Sequence, residues 1–159
     1  MTIELPACGL YRTTRPLPGE DSRIPGGVLV YFHNHSEQGP PVVLVPADNV
    51  RNRWRFHTAG TLIEDPDWPS SLVALKPEGF YRLREHFHPS DDQVVNQNAL
   101  VQLGYNRAAE PIVFFPSMHE TENSLVFPER GTRIGQPIYD LLEPLDHSGP
   151  YVPTVRHLH

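Results

Sequence analysis

The sequence predicts an all-β chain of short strands, written as a tandem repeat of about 70 residues. Three observations lead there. The chain carries 18 prolines among 159 residues, roughly twice ordinary usage. Proline lacks a backbone donor, so this density excludes long helices and favours many corners. The pattern Leu5-x3-Gly9-x-Tyr11 returns as Leu75-x3-Gly79-x-Tyr81 and as Leu145-x3-Gly149-x-Tyr151, spaced by 70 residues each time, which is the signature of an internal repeat. Between these motifs lie short apolar runs bounded by Pro, Gly, Asn and Asp, the ordinary signal for strands and turns.

Taken in order, Gly9 to Thr14 opens the first unit and a Pro/Gly-rich loop follows from Arg15 to Gly27. Val28 to His33 is a strand, Glu37-Gln38-Gly39-Pro40 a turn, and Pro41 to Val45 the next strand. Ala47 to Asn49 turns the chain back into Arg53 to His57, and Leu72 to Leu75 closes the unit. The second unit repeats the plan through Ala99–Leu103, Ile112–Phe115, Leu125–Phe127 and Leu141–Leu145. Pro69–Leu75 and Pro137–Leu142 each have room for one helical turn. Residues 1–78 form the first repeat, and residues 79–159 the second with a C-terminal tail. At the junctions, the repeated Gly allows a sharp bend, and the repeated Tyr is expected to bury its ring while its hydroxyl reaches a partner. No flexible Gly/Ser linker separates the units, so they are expected to be rigidly joined.

A long first loop, three consecutive antiparallel strands and a short last strand in 60–70 residues resemble the SH3-like barrel. The resemblance covers both units and implies two fused SH3-like small barrels. The paired Trp of signalling SH3 domains is reduced here to Trp54, and Leu125 stands at that place in the second unit.

Composition narrows the function. Thirteen basic against 19 acidic residues give a net charge of −6, which argues against a general nucleic-acid binder. Cys8 is the single cysteine, so neither an intramolecular disulfide nor a zinc ribbon can form, and a reducing compartment fits. The start of the chain lacks a signal-peptide pattern, and no apolar run reaches the length of a membrane span. A cytoplasmic protein without membrane attachment is the expectation, and no cofactor fingerprint is present.

The differences between the units point to candidate sites. His33-Asn34-His35 and Glu85-His86-Phe87-His88 each place two imidazoles on one side of a strand. His33, His35, His86 and His88 are therefore the candidate metal ligands, provided the pairs converge. In Arg51-Asn52-Arg53-Trp54-Arg55-Phe56, strand alternation puts Arg51, Arg53 and Arg55 on one face and Asn52, Trp54 and Phe56 on the other. A row of guanidiniums suits an acidic partner, although cross-strand pairing with local carboxylates also uses it. The corresponding hairpin of the second unit carries His119-Glu120-Thr121-Glu122, with Glu120 and Glu122 acidic where the first unit is basic. That asymmetry permits head-to-tail contact between copies. Arg15-Pro16-Leu17-Pro18 has the look of a peptide ligand for SH3 domains but reads better as a structured loop. Cys8 has no neighbouring base and reads as a buried structural residue.

No nucleophile elbow, P-loop, dinucleotide fingerprint or His-Glu-x-x-His pattern occurs. The preferred reading is a noncatalytic interaction or scaffold module binding a protein partner through Arg51, Arg53, Trp54, Arg55, Glu120 and Glu122. The alternatives are a small metal-binding protein or metal-dependent enzyme built on the four histidines, and single-stranded nucleic-acid binding along the Arg/Trp strand.

Overall fold

A computed structural model describes residues 4–145 of the chain. Strands dominate. The helical pieces among the described residues are a 3₁₀ turn at Trp68–Ser71 and a single α-helical turn, α1, at Gln136–Tyr139. Both overlap the two segments expected to hold a helical turn, each beginning one residue earlier. No helix of the described residues is long and apolar enough to cross a membrane.

The first half contains β1 (Gly9–Arg12), β2 (Leu29–His33), β3 (Val42–Leu44), β4 (Pro46–Val50), β5 (Arg53–Phe56), β6 (Thr61–Leu62) and β7 (Val73–Ala74). The second contains β8 (Gly79–Leu83), β9 (Phe87–Ser90), β10 (Gln93–Val95), β11 (Leu100–Tyr105), β12 (Pro111–Phe114), β13 (Ser117–His119), β14 (Ser124–Val126), β15 (Thr132–Arg133) and β16 (Leu142–Pro144). Each half has one five-stranded antiparallel sheet, ordered β6-β3-β2-β1-β7 and β15-β12-β11-β8-β16. The pairs β4–β5, β9–β10 and β13–β14 are separate two-stranded ribbons. Among the described residues no sheet closes on itself.

The two sheets agree in register as well as in order. Tyr11 faces Val30 as Tyr81 faces Val101. Phe32 faces Val43 as Leu103 faces Val113, and Val43 faces Thr61 as Val113 faces Thr132. Tyr11 faces Ala74 as Tyr81 faces Pro144. Alternation then decides which side of each strand is buried. Tyr11, Val30, Phe32 and Val43 enter one core, and Tyr81, Val101, Leu103 and Val113 enter the other.

The repeated motif has the same atomic role twice. Tyr11 donates its hydroxyl to the Ala7 carbonyl at 2.7 Å, and Tyr81 donates to the Pro77 carbonyl at 2.6 Å. In each case the acceptor lies four residues upstream, and the glycine between them lets the chain fold back. Gly79, at φ 142°, occupies backbone space that a side chain would strain. Gly149 and Tyr151 of the third motif lie outside the described residues.

Two expectations are corrected, at the reversal and at Cys8, while Arg15-Pro16-Leu17-Pro18 is the structured loop expected of it. The reversal placed at Ala47–Asn49 comes later: those residues belong to β4, and the chain turns at Arg51 and Asn52, with φ of 53° and 68°. Two successive positive φ values make a two-residue hairpin turn of the kind that matches strand twist. Arginine is not a customary residue there, which hid the turn in the sequence. Arg15-Pro16-Leu17-Pro18 is not an offered peptide, because Leu17 and Ile24 are buried in the first core and Leu17 N–H donates to the Ile24 carbonyl at 3.0 Å. Cys8 is exposed, with the Asn34 N–H on its sulfur at 3.4 Å.

Candidate functional site

The residues with the densest polar chemistry lie where the halves meet. The β4–β5 hairpin reaches from the first half onto the outer face of β11. At its tip, Asn52 Nδ2 donates to Gln102 Oε1 at 2.9 Å and to the Pro128 carbonyl at 3.0 Å. Gln102 Nε2 returns a bond to the Arg51 carbonyl at 2.9 Å. Gln102 is buried, so this reciprocal pairing satisfies an amide that would otherwise be costly inside. Two residues along, Gly104 makes the approach possible, because a Cβ there would stand 2.9 Å from the Asn52 carbonyl oxygen.

Behind the tip, Trp54 packs against the second core. Its indole N–H donates to the Tyr105 carbonyl at 2.7 Å, and the Arg107 guanidinium stacks 4.8 Å from its ring centre. Arg107 also donates to the Pro46 carbonyl at 3.3 Å, and its own carbonyl accepts the Leu29 N–H at 2.8 Å. β2 and the hairpin are thus both tied to the β11–β12 turn.

The link between the halves, residues 76–78, is strapped on both sides. Tyr105 donates its hydroxyl to the Lys76 carbonyl at 2.6 Å, and the Lys76 N–H donates to Tyr139 Oη at 2.6 Å. Lys76 Nζ donates to the Leu142 carbonyl at 2.8 Å. Burial lowers the Lys76 ammonium pKa below its ordinary value and raises that of the Tyr105 phenol, which also bonds Tyr139. Glu78 accepts the Trp54 backbone N–H at 3.1 Å. Burial pushes the Glu78 carboxyl up to about 7, against the smaller opposing pulls of the Trp54 N–H and of Arg53. A cleft of about 420 Å³ opens here, with Leu10, Tyr31, Trp54 and Phe56 in its walls and Arg53 and Glu78 beside them.

The sequence candidates are distributed as follows. Arg53 and Arg55 lie exposed on one side of β5, while Trp54 and Phe56 turn toward the protein. Arg51 is not on that strand face, because it forms the turn. Arg55 Nε donates to Asp48 Oδ1 at 2.7 Å, the cross-strand pairing anticipated as the alternative use of the arginine row. Trp54, expected on a partner surface, is half-buried at the junction. Glu120 and Glu122 occupy the turn between β13 and β14 and are exposed. Met118, Leu125 and Val126 of that ribbon are 56%, 46% and 47% exposed.

The histidine pairs remain separate. The His33 and His35 rings are 6.2 Å apart, and the His86 and His88 rings 5.7 Å apart. His35 Nδ1 bonds Asn34 Oδ1 at 2.8 Å and His88 Nδ1 bonds the Gln93 carbonyl at 3.0 Å. Among the described residues no three His, Cys, Asp or Glu side chains are placed to hold one metal ion. Sequence reasoning missed Glu78, Gln102, Gly104, Tyr105 and Arg107. Gln102 and Gly104 left a signal, as a polar residue and a glycine inside the apolar run Leu100–Tyr105. No protein-family model, curated protein or solved structure matches this chain.

Proposed function

We propose that the chain is a duplicated SH3-like unit serving as a noncatalytic interaction module, and that the β13–β14 ribbon carries the partner. The partner surface expected of it is a protein segment with apolar and basic side chains. One observation carries the reading: Met118, Leu125 and Val126 stand about half exposed on a ribbon whose counterpart in the first half packs Trp54 and Phe56 against the second core. Exposed apolar side chains grouped on one element commonly mark interaction surfaces. Glu120 and Glu122 at the tip add a negative rim that steers a basic partner. The repeat supports the barrel reading through its equal strand order and register.

Site-specific photocrosslinking in the native source tests this. A photoreactive residue at Leu125 or at Met118 is expected to trap one dominant protein, and the same residue at exposed Val73 on β7 is not. Glu120→Lys with Glu122→Lys should reduce that adduct. Equal adducts from all three positions, or none from the ribbon, would sink the reading. An adduct of twice the chain's mass identifies the partner as a second copy, the head-to-tail contact foreseen from the opposite charges of the two ribbons.

A further inference from the structure

We propose that the cleft between the halves binds a protonated amine carried on an apolar body, with Glu78 as counter-charge and Tyr31, Trp54 and Phe56 as walls. This site shares no residue with the β13–β14 ribbon and stands or falls separately from it.

The charge of Glu78 is the starting point. Its task in the fold is to accept the Trp54 N–H, which a neutral amide would do as well. Burial makes ionisation costlier than the Trp54 N–H and the more distant Arg53 offset, and the carboxyl is raised accordingly. No ion pair among the described residues includes Glu78. Arg53, on the same cleft, acts on it only through space. A half-buried carboxylate held at a cleft without a direct ion-pair partner is the arrangement that a bound cation completes.

The walls select the kind of cation. A divalent metal needs several oxygen donors, and the cleft offers one carboxylate among mostly apolar neighbours. Aromatic faces instead attract organic cations, and Trp54 already holds one guanidinium, that of Arg107. The volume of about 420 Å³ lies in the range of small-ligand clefts, and junctions between structural units are favoured places for them. Two sources supply this chemistry, a free amine and the lysine side chain of an extended peptide. The charged and titratable groups around Glu78 are Arg53 on β5, Lys76 in the link, Tyr105 on β11, and Cys8, Tyr11 and Tyr31 on the first-sheet side; no histidine lines the cleft.

The test follows the Trp54 indole resonance, with the fully buried Trp68 indole as internal control. Phenethylammonium and the neutral 2-phenylethanol are titrated in parallel, and so are an apolar peptide with one central lysine and its norleucine analogue. The charged member of at least one pair is expected to bind about tenfold or more tightly than the neutral one, and Glu78→Gln should abolish that preference. Arg53→Gln should strengthen binding of the charged probe a few-fold. The affinity should rise about tenfold between about pH 6 and pH 8 as Glu78 ionises while the amine stays protonated. Which pair shows the preference identifies the source. Equal binding of charged and neutral members in both pairs, or a Trp54 signal moved by none of the four, overturns the proposal in wild-type protein, whatever the variants do.

Discussion

Two ribbons occupy the same place in the two halves and meet opposite fates. β4–β5 turns through two residues, lays Asn52 against Gln102 and sets Trp54 into the second core. β13–β14 turns through four residues, carries Leu125 where the first ribbon has Trp54, and leaves its apolar side chains open. The receiving sheets differ as well. Gln102 and Gly104 on β11 match Tyr31 and His33 on β2 by register, since Gln102 faces Phe114 as Tyr31 faces Leu44, and Gly104 faces Ile112 as His33 faces Val42. A shared backbone plan therefore does not determine docking. A few side chains at the tip and at the acceptor do.

The largest test of that contrast is truncation of the two matched residues. Trp54→Ala removes core packing, an indole hydrogen bond and a stacked guanidinium, and should cost about 2–4 kcal/mol in urea unfolding. Leu125→Ala should cost under about 0.5 kcal/mol, as expected of an exposed side chain. Similar losses would mean that the second ribbon is packed after all. Next comes the acceptor strand. Gly104→Ala drives a methyl toward the Asn52 carbonyl and should cost about 1–3 kcal/mol, whereas His33→Ala, at the matching position on β2, should stay within about 0.5 kcal/mol. Denaturant midpoints of the two variants decide the point.

A subtler effect concerns pH. The folded state holds the Glu78 carboxyl at about 7, above its ordinary 4.5, so folding takes up a proton between those values. Its contribution is most favourable below about 4.5 and is lost as pH rises through about 7. Glu78→Gln keeps an acceptor for the Trp54 N–H and should raise the melting temperature at pH 8 relative to wild type, with the difference vanishing near pH 4. A wild-type advantage at pH 8 would show that the ionised carboxylate stabilises the junction. The smallest effect is expected at Arg55, whose partner Asp48 is solvent-exposed. Arg55→Ala should leave the melting temperature unchanged at high salt, where exposed pairs are screened.

Much of this contrast is legible in the sequence. The Leu-x3-Gly-x-Tyr motif announced the tyrosine hydroxyls that reach a carbonyl four residues upstream, because its glycine and tyrosine act locally, within seven residues of chain. Most strands were marked by apolar runs and by bracketing prolines such as Pro41 and Pro111. What was hidden depends on contacts between distant segments. Trp54 read as a surface residue because its partners, Tyr105 and Arg107, are more than fifty positions away and carry no local pattern. Glu78 sits within the recurring motif itself, at the place of Cys8, yet its raised pKa arises from burial by β5 and is invisible in its neighbours. Arg51 was put on a strand face because alternation cannot register a turn made by an uncommon residue.

His33 has one more consequence. A rule by which each unit's ribbon settles on the next unit's sheet has no natural stopping point, and head-to-tail joints of that type propagate into open filaments. The joint seen at β11 tolerates no side chain at Gly104, and the matching position on β2 carries an imidazole. A ribbon seated on β2 in the pose that Asn52 takes on β11 would meet that imidazole.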